Sequence, residues 1–101
     1  MPSIVFLPPA KSDIQSAIHW YEKQKTGLDK RFKKYLINAI DSLSDPIKGY
    51  GPVYMNLSRI PVRKFPYVIY FKIDLLRKKI VIYAVLHKKQ SRENVLKERV
   101  E

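Results

Sequence analysis

Residues 67–87 read YVIYFKIDLLRKKIVIYAVLH, two alternating apolar runs joined by a basic turn. Successive side chains of a strand point to opposite faces. Tyr67, Ile69, Phe71 and Ile73 therefore share one face of a strand over Tyr67–Asp74. Ile80, Ile82, Ala84 and Leu86 share the matching face of a strand over Lys79–His87. The link Leu75-Leu76-Arg77-Lys78 is too short for anything but an antiparallel hairpin. One face of this hairpin is wholly apolar and needs a covering layer. The other carries Val68, Tyr70, Lys72, Val81, Tyr83, Val85 and His87, a mixture of apolar, aromatic and polar groups with basic residues at its rim.

The covering layer lies upstream. Ile14, Ala17, Ile18 and Tyr21 recur at i, i+3, i+4 and i+7, the stripe of an amphipathic helix that Pro9 can open. Asp13 near its start and Lys23 and Lys25 near its end suit the helix dipole. Gly27 breaks the pattern as a left-handed cap. Asp29 is placed to cap a second helix with the stripe Phe32, Tyr35, Leu36, Ala39, Ile40 and Leu43, stopped by Asp45-Pro46. At about 16 residues each, the helices match in length at about 24 Å, as an αα-hairpin requires. Residues 4–7 (IVFL) read as a short buried strand, residues 46–58 as a loop with a short strand near Tyr54–Leu57, and Ile60–Phe65 as a further strand. Residues 91–101 read as a short, loosely packed C-terminal helix or tail, with Ser91 as its cap and a weak stripe of Val95 and Val100.

The expected fold class is α+β, in the order β-α-α-β-β-β, with a helical hairpin packed on one face of a small antiparallel sheet. A chain of 101 residues makes one domain, residues 1–101, and a composition 46% hydrophobic supports a real core. There is no cysteine, which excludes a disulfide framework, thiolate metal sites and a Cys nucleophile. No apolar run is long enough for a membrane span or a signal peptide, so the expected location is the cytoplasm, away from membranes.

The formal charge is +11, and residues 58–101 hold twelve Lys/Arg against four Asp/Glu while residues 1–57 hold eight against five. A basic field of this kind attracts nucleic acid, ribosomes or an acidic protein. Phosphate-binding loops, the nucleophile elbow and the zinc-protease helix motif are all absent, and His19 and His87 stand on different elements. No metal or cofactor is expected. One reaction suits Lys, Arg, His and Tyr alone: cleavage of RNA by its own 2′-hydroxyl. The protein must remove one proton, stabilise charge on the phosphate and protonate the leaving oxygen. Arg63, Lys64, Lys88, Lys89 and Arg92 are candidates for charge stabilisation, and His87 or a tyrosine for proton transfer. Helix 2 also begins with Lys30, Arg31, Lys33 and Lys34, either a solvated face or a second nucleic-acid contact. The partly apolar surface of Val68, Tyr70, Val81, Tyr83 and Val85 is the expected partner-binding face.

Three stretches together resemble the RelE/ParE superfamily of toxins. They are Ala10-x-x-Asp13-Ile14-x-x-Ala17-Ile18-x-Trp20-Tyr21-Glu22-x-Gln24-x-x-Gly27-Leu28 with Phe32, then residues 63–74 (RKFPYVIYFKID), then Ile82-x-Ala84-Val85-Leu86-His87. The resemblance runs from about residue 4 to residue 89. It implies the same β-α-α-β-β-β order, a toxin of a bacterial type II toxin–antitoxin pair, and a cognate antitoxin that silences it, as a toxin–antitoxin hetero-oligomer. It also implies a scaffold role for Trp20, Tyr21, Phe65 and Tyr67. RelE-like members cut mRNA on the ribosome, whereas ParE-like members inhibit DNA gyrase without cutting. In the nuclease branch an Arg commonly follows the strand's first Tyr, where this chain has Val68, and a C-terminal Tyr has no counterpart in residues 91–101. The form of residues 65–71 and the trailing His87 are closer to the gyrase-inhibiting branch. A third reading is a non-toxic basic RNA- or ribosome-binding domain.

Overall fold

A computed structural model of the chain describes residues 3–44 and 56–100. In order, the elements are β1 (Ser3–Phe6), α1 (Pro8–Gln24), α2 (Leu28–Ser42), β2 (Ser58–Pro61), β3 (Tyr67–Asp74), β4 (Lys79–His87) and α3 (Arg92–Val100). The fold is the expected α+β arrangement, with the helical hairpin on one face of a four-stranded sheet. Its strand order is β1-β4-β3-β2. β2, β3 and β4 pair antiparallel as expected, but β1 joins β4 in parallel, so the sheet is mixed where an antiparallel one was expected.

Local chemistry explains the helix ends. Pro8 and Pro9 occupy the first helical positions of α1, where a missing N–H costs nothing. Gly27 has φ +86° and no side-chain cap bond forms at the start of α2, so the turn rests on glycine and Asp29 lies inside the helix. Helix α2 ends at Ser42; the expected Asp45-Pro46 stop and most of the 46–58 loop lie outside the described residues. At the fold's centre, Phe32 of α2 stacks with Tyr21, Phe65 and Tyr67 at centroid separations of 5.2, 5.3 and 5.3 Å. Trp20, expected as scaffold, is instead 58% exposed.

Two strand expectations are corrected. The strand expected over Ile60–Phe65 begins earlier and stops at Pro61. The Val62 N–H bonds to the Tyr67 carbonyl at 2.9 Å and the Phe65 N–H to the Val62 carbonyl at 3.2 Å, so residues 62–66 form the β2–β3 turn. Lys64 takes φ +66° there. The second correction concerns the alternation in β4. Tyr70 pairs with Ala84 and Phe71 with Ile82, leaving Tyr83 as an extra residue in a β-bulge. Beyond the bulge every side chain swaps face. Val85 enters the core beneath the helical hairpin, while Ala84 and Leu86 move to the far face.

The far face is covered too. Leu96 of α3 is fully buried among Leu57, Val68, Tyr70, Ala84 and Leu86, with Val95 and Tyr83 packed against them. The C-terminal segment is therefore a docked helix, not a loose tail. A second tie secures it. β1 pairs with β4 only as far as Ile82, which leaves the next stretch of β4 as a free edge. Asp13 of α1 accepts a hydrogen bond from the Val85 N–H at 3.0 Å. Arg99 of α3 donates to the Tyr83 carbonyl at 3.2 Å and forms a two-pronged ion pair with Asp13. This clasp fills the edge positions that β1 leaves empty.

Candidate functional site

On the far face, between β2, the end of β4 and the start of α3, lies a cleft of about 360 Å³. Its floor is Val68, Tyr70 and Leu86, all buried, and its rim is Arg59, Lys88, Arg92 and Gln90, with His87 at one end. Among the described residues three cations line it and no carboxylate does. An anion entering would meet positive charge over a low-dielectric floor, which strengthens attraction relative to open solvent.

The segment after β4 is built to hold these groups. The His87 N–H donates to the Gln90 side-chain carbonyl at 2.8 Å, and the Gln90 N–H returns to the His87 carbonyl at 2.9 Å. The Lys89 N–H donates to His87 Nδ1 at 3.0 Å, so the neutral ring carries its proton on Nε2. The same ring packs edge-on against Tyr67 at 5.2 Å. The Lys88 N–H bonds to the Pro66 carbonyl at 2.9 Å, tying this turn to the β2–β3 turn. Ser91 Oγ accepts from the Asn94 N–H at 3.4 Å, as expected of a helix cap, and sets Arg92 in the first turn of α3.

Of the residues singled out for chemistry, His87, Lys88 and Arg92 meet in the cleft. Lys89 gives only its backbone N–H to the tight turn and its exposed side chain stands outside the lining, as do Arg63 and Lys64 in the β2–β3 turn. Of the expected partner face, Val68 and Tyr70 form the floor and are 9% and 4% exposed. Tyr83 and Val81 are half-buried, and Val85 is in the opposite core. α3 covers part of that face, and the cleft lies beside it. Arg59 was missed. It pairs across from Tyr70 in β2, which begins two residues before the expected Ile60. Its signal was the alternation Arg59, Pro61 against Ile60, Val62, legible once the register is known. Among the described residues no cluster of His, Cys, Asp and Glu could hold a metal ion, and no helix is long and apolar enough to cross a membrane.

The sequence pattern of the ParE toxins of type II toxin–antitoxin systems (parDE) matches residues 4–92, and the chain belongs to that family. Among solved structures it resembles a chain of the chromosomal ParDE system from P. aeruginosa, at a TM-score of 0.68 and 18% identity over 86% of this chain and 96% of that one. The isolated E. coli RelE toxin aligns at 0.53 and 14% over all of both chains. The RelBE2 toxin–antitoxin complex from Mycobacterium tuberculosis aligns at 0.54 and 16%, over 88% of this chain and 93% of that one. At these identities the likeness is one of fold. No curated protein matches. The chain is a toxin of a type II toxin–antitoxin system.

Proposed function

We propose that this toxin arrests growth by binding DNA gyrase through the cationic cleft, without cutting nucleic acid, and that a cognate antitoxin silences it by covering the same cleft. The observation that carries this reading is Val68. It sits on the cleft floor, where the nuclease branch of the superfamily commonly has an arginine. Cleavage of RNA by its own 2′-hydroxyl needs a base on one side of the phosphate and an acid on the other. Among the described lining residues Tyr70 is 4% exposed and His87 Nδ1 is engaged by Lys89, which leaves His87 Nε2 and the Lys88 ammonium, neighbours in the chain, as the groups placed to move a proton. Arg59, Lys88 and Arg92 bind and orient an anionic surface, and acidic antitoxin residues compete for them.

The test sets a supercoiling assay with purified gyrase beside sequencing of mRNA 5′ ends after induction. The expected result is loss of supercoiling, relieved by the antitoxin, with mRNA ends unchanged. Codon-phased cuts with supercoiling untouched would make the chain a ribosome-dependent nuclease instead.

A further inference from the structure

Away from the cleft, the hairpin side of the molecule carries a second concentration of positive charge. Lys30, Arg31, Lys33 and Lys34 are exposed in the first turns of α2, and Arg63 and Lys64 are exposed in the β2–β3 turn. Among the described residues none of these six forms an ion pair. The pairing of Asp29 with Lys33 that their i, i+4 spacing allows is not made.

The two elements converge on one side chain. Lys64 Nζ lies 5.6 Å from the centre of the Tyr35 ring, over its face. The Tyr35 phenol is held below its ordinary value by a hydrogen bond to Lys64 and that residue's charge, with a smaller contribution from Arg31. Arg31, Lys34 and Tyr35 stand at i, i+3 and i+4, on one flank of α2. Asp29 lies roughly 200° round the helix from Arg31 and so does not neutralise this flank. The contact of Lys64 with Tyr35 is favourable in itself, but no described ion pair relieves the mutual repulsion of Arg31, Lys34 and Lys64.

We propose that this flank of α2, with the β2–β3 turn, is a second anion surface, which holds the phosphodiester backbone of duplex DNA independently of the cleft. Arg31 and Lys34 stand about 4.5 Å apart along the helix axis, with Lys64 beside them across Tyr35, and duplex DNA presents a charge every ~1.7 Å of axis, so one duplex can meet all three. Among the described residues the patch offers no free aromatic face for base stacking, since Tyr35 lies beneath Lys64 and Phe65 is half-buried against the aromatic core. It also lacks the apolar centre of a protein interface. The result is binding to the backbone without base selection. The inference does not depend on which molecule the cleft binds.

The test is fluorescence anisotropy of a labelled DNA duplex of about 20 base pairs, titrated with the full chain from about 50 to 200 mM salt. Three proteins are compared: wild type, Arg31→Gln/Lys34→Gln/Lys64→Gln, and a control of equal net charge, Lys11→Gln/Lys72→Gln/Lys79→Gln. Each is first shown to melt as a folded protein. The flank variant should lose at least about tenfold in affinity and about 3 from the slope of log K against log salt, with the control close to wild type. Equal losses in both variants would overturn the proposal, reducing the binding to diffuse charge. So would an unchanged slope in the flank variant, or polyglutamate displacing the protein from the duplex at lower charge concentration than unlabelled DNA does.

Discussion

At Gly27 the whole connection between two helices depends on one left-handed residue. Its φ is +86°, and a Cβ built there meets nothing within 4 Å. Gly27→Ala should therefore destabilise through the backbone alone, by about 1 kcal/mol, with no loss of packing. Chemical denaturation checks this: the midpoint should fall with the m-value unchanged. Two buried phenols set a limit at high pH. Burial raises the Tyr21 and Tyr67 phenols above their ordinary value of 10.0, with smaller contributions from Tyr67 on Tyr21 and from Asp13 on Tyr67. Below that value both the folded and unfolded chains hold these protons, and the stabilisation is fully present. As pH climbs past it the unfolded chain releases them while the folded chain keeps them, so stability is lost progressively up to the folded-state values. Melting temperature should fall above pH of about 10, and the fall should be shallower in Tyr21→Phe/Tyr67→Phe. Gly27 was legible in the sequence because a glycine between two helical stripes has one common explanation. Lys64 at φ +66° was not, since nothing in its side chain favours that conformation.

Among the elements, α3 differs most from its sequence. Its polar residues hide one buried anchor, Leu96, and one clasp, Arg99 with Asp13. Neither is visible to a reading that works by local periodicity, because their partners lie on β4 and α1. The bulge at Tyr83 hides for the same reason. Residues 79–87 alternate cleanly, and only the pairing with β3 reveals the extra residue that turns Val85 inward and Leu86 outward. By contrast, the bounds of β3 and β4 and the turn between them read directly from the pattern, since a short link and two alternating runs leave one solution. The clasp makes a quantitative prediction. Asp13 and Arg99 side chains are 13% and 15% exposed, so Asp13→Ala leaves a nearly buried guanidinium unpaired and the Val85 N–H without its acceptor. The expected cost is about 3 kcal/mol, read from urea unfolding. Asp13→Ala/Arg99→Met should be less destabilised than Asp13→Ala, because the stranded charge is gone.

For the molecule as a whole, the excess of Lys and Arg over residues 58–101 divides between surfaces that position in sequence does not separate. Folding sends Arg59, Lys88 and Arg92 to the cleft and Lys64 to the hairpin side, although Arg59 and Lys64 are close neighbours in the chain. The turn at residues 62–66 divides them. The central claim is that toxicity resides in the cleft, and growth of cells after induction of the toxin without its antitoxin tests it. Arg59→Gln/Lys88→Gln removes two exposed rim cations and should leave folding within about 0.5 kcal/mol per site. Cells expressing wild type or Lys11→Gln/Lys72→Gln/Lys79→Gln should stop growing, and cells expressing the cleft variant, soluble at the same level, should continue. Arrest by the cleft variant as complete as that by wild type would contradict the account.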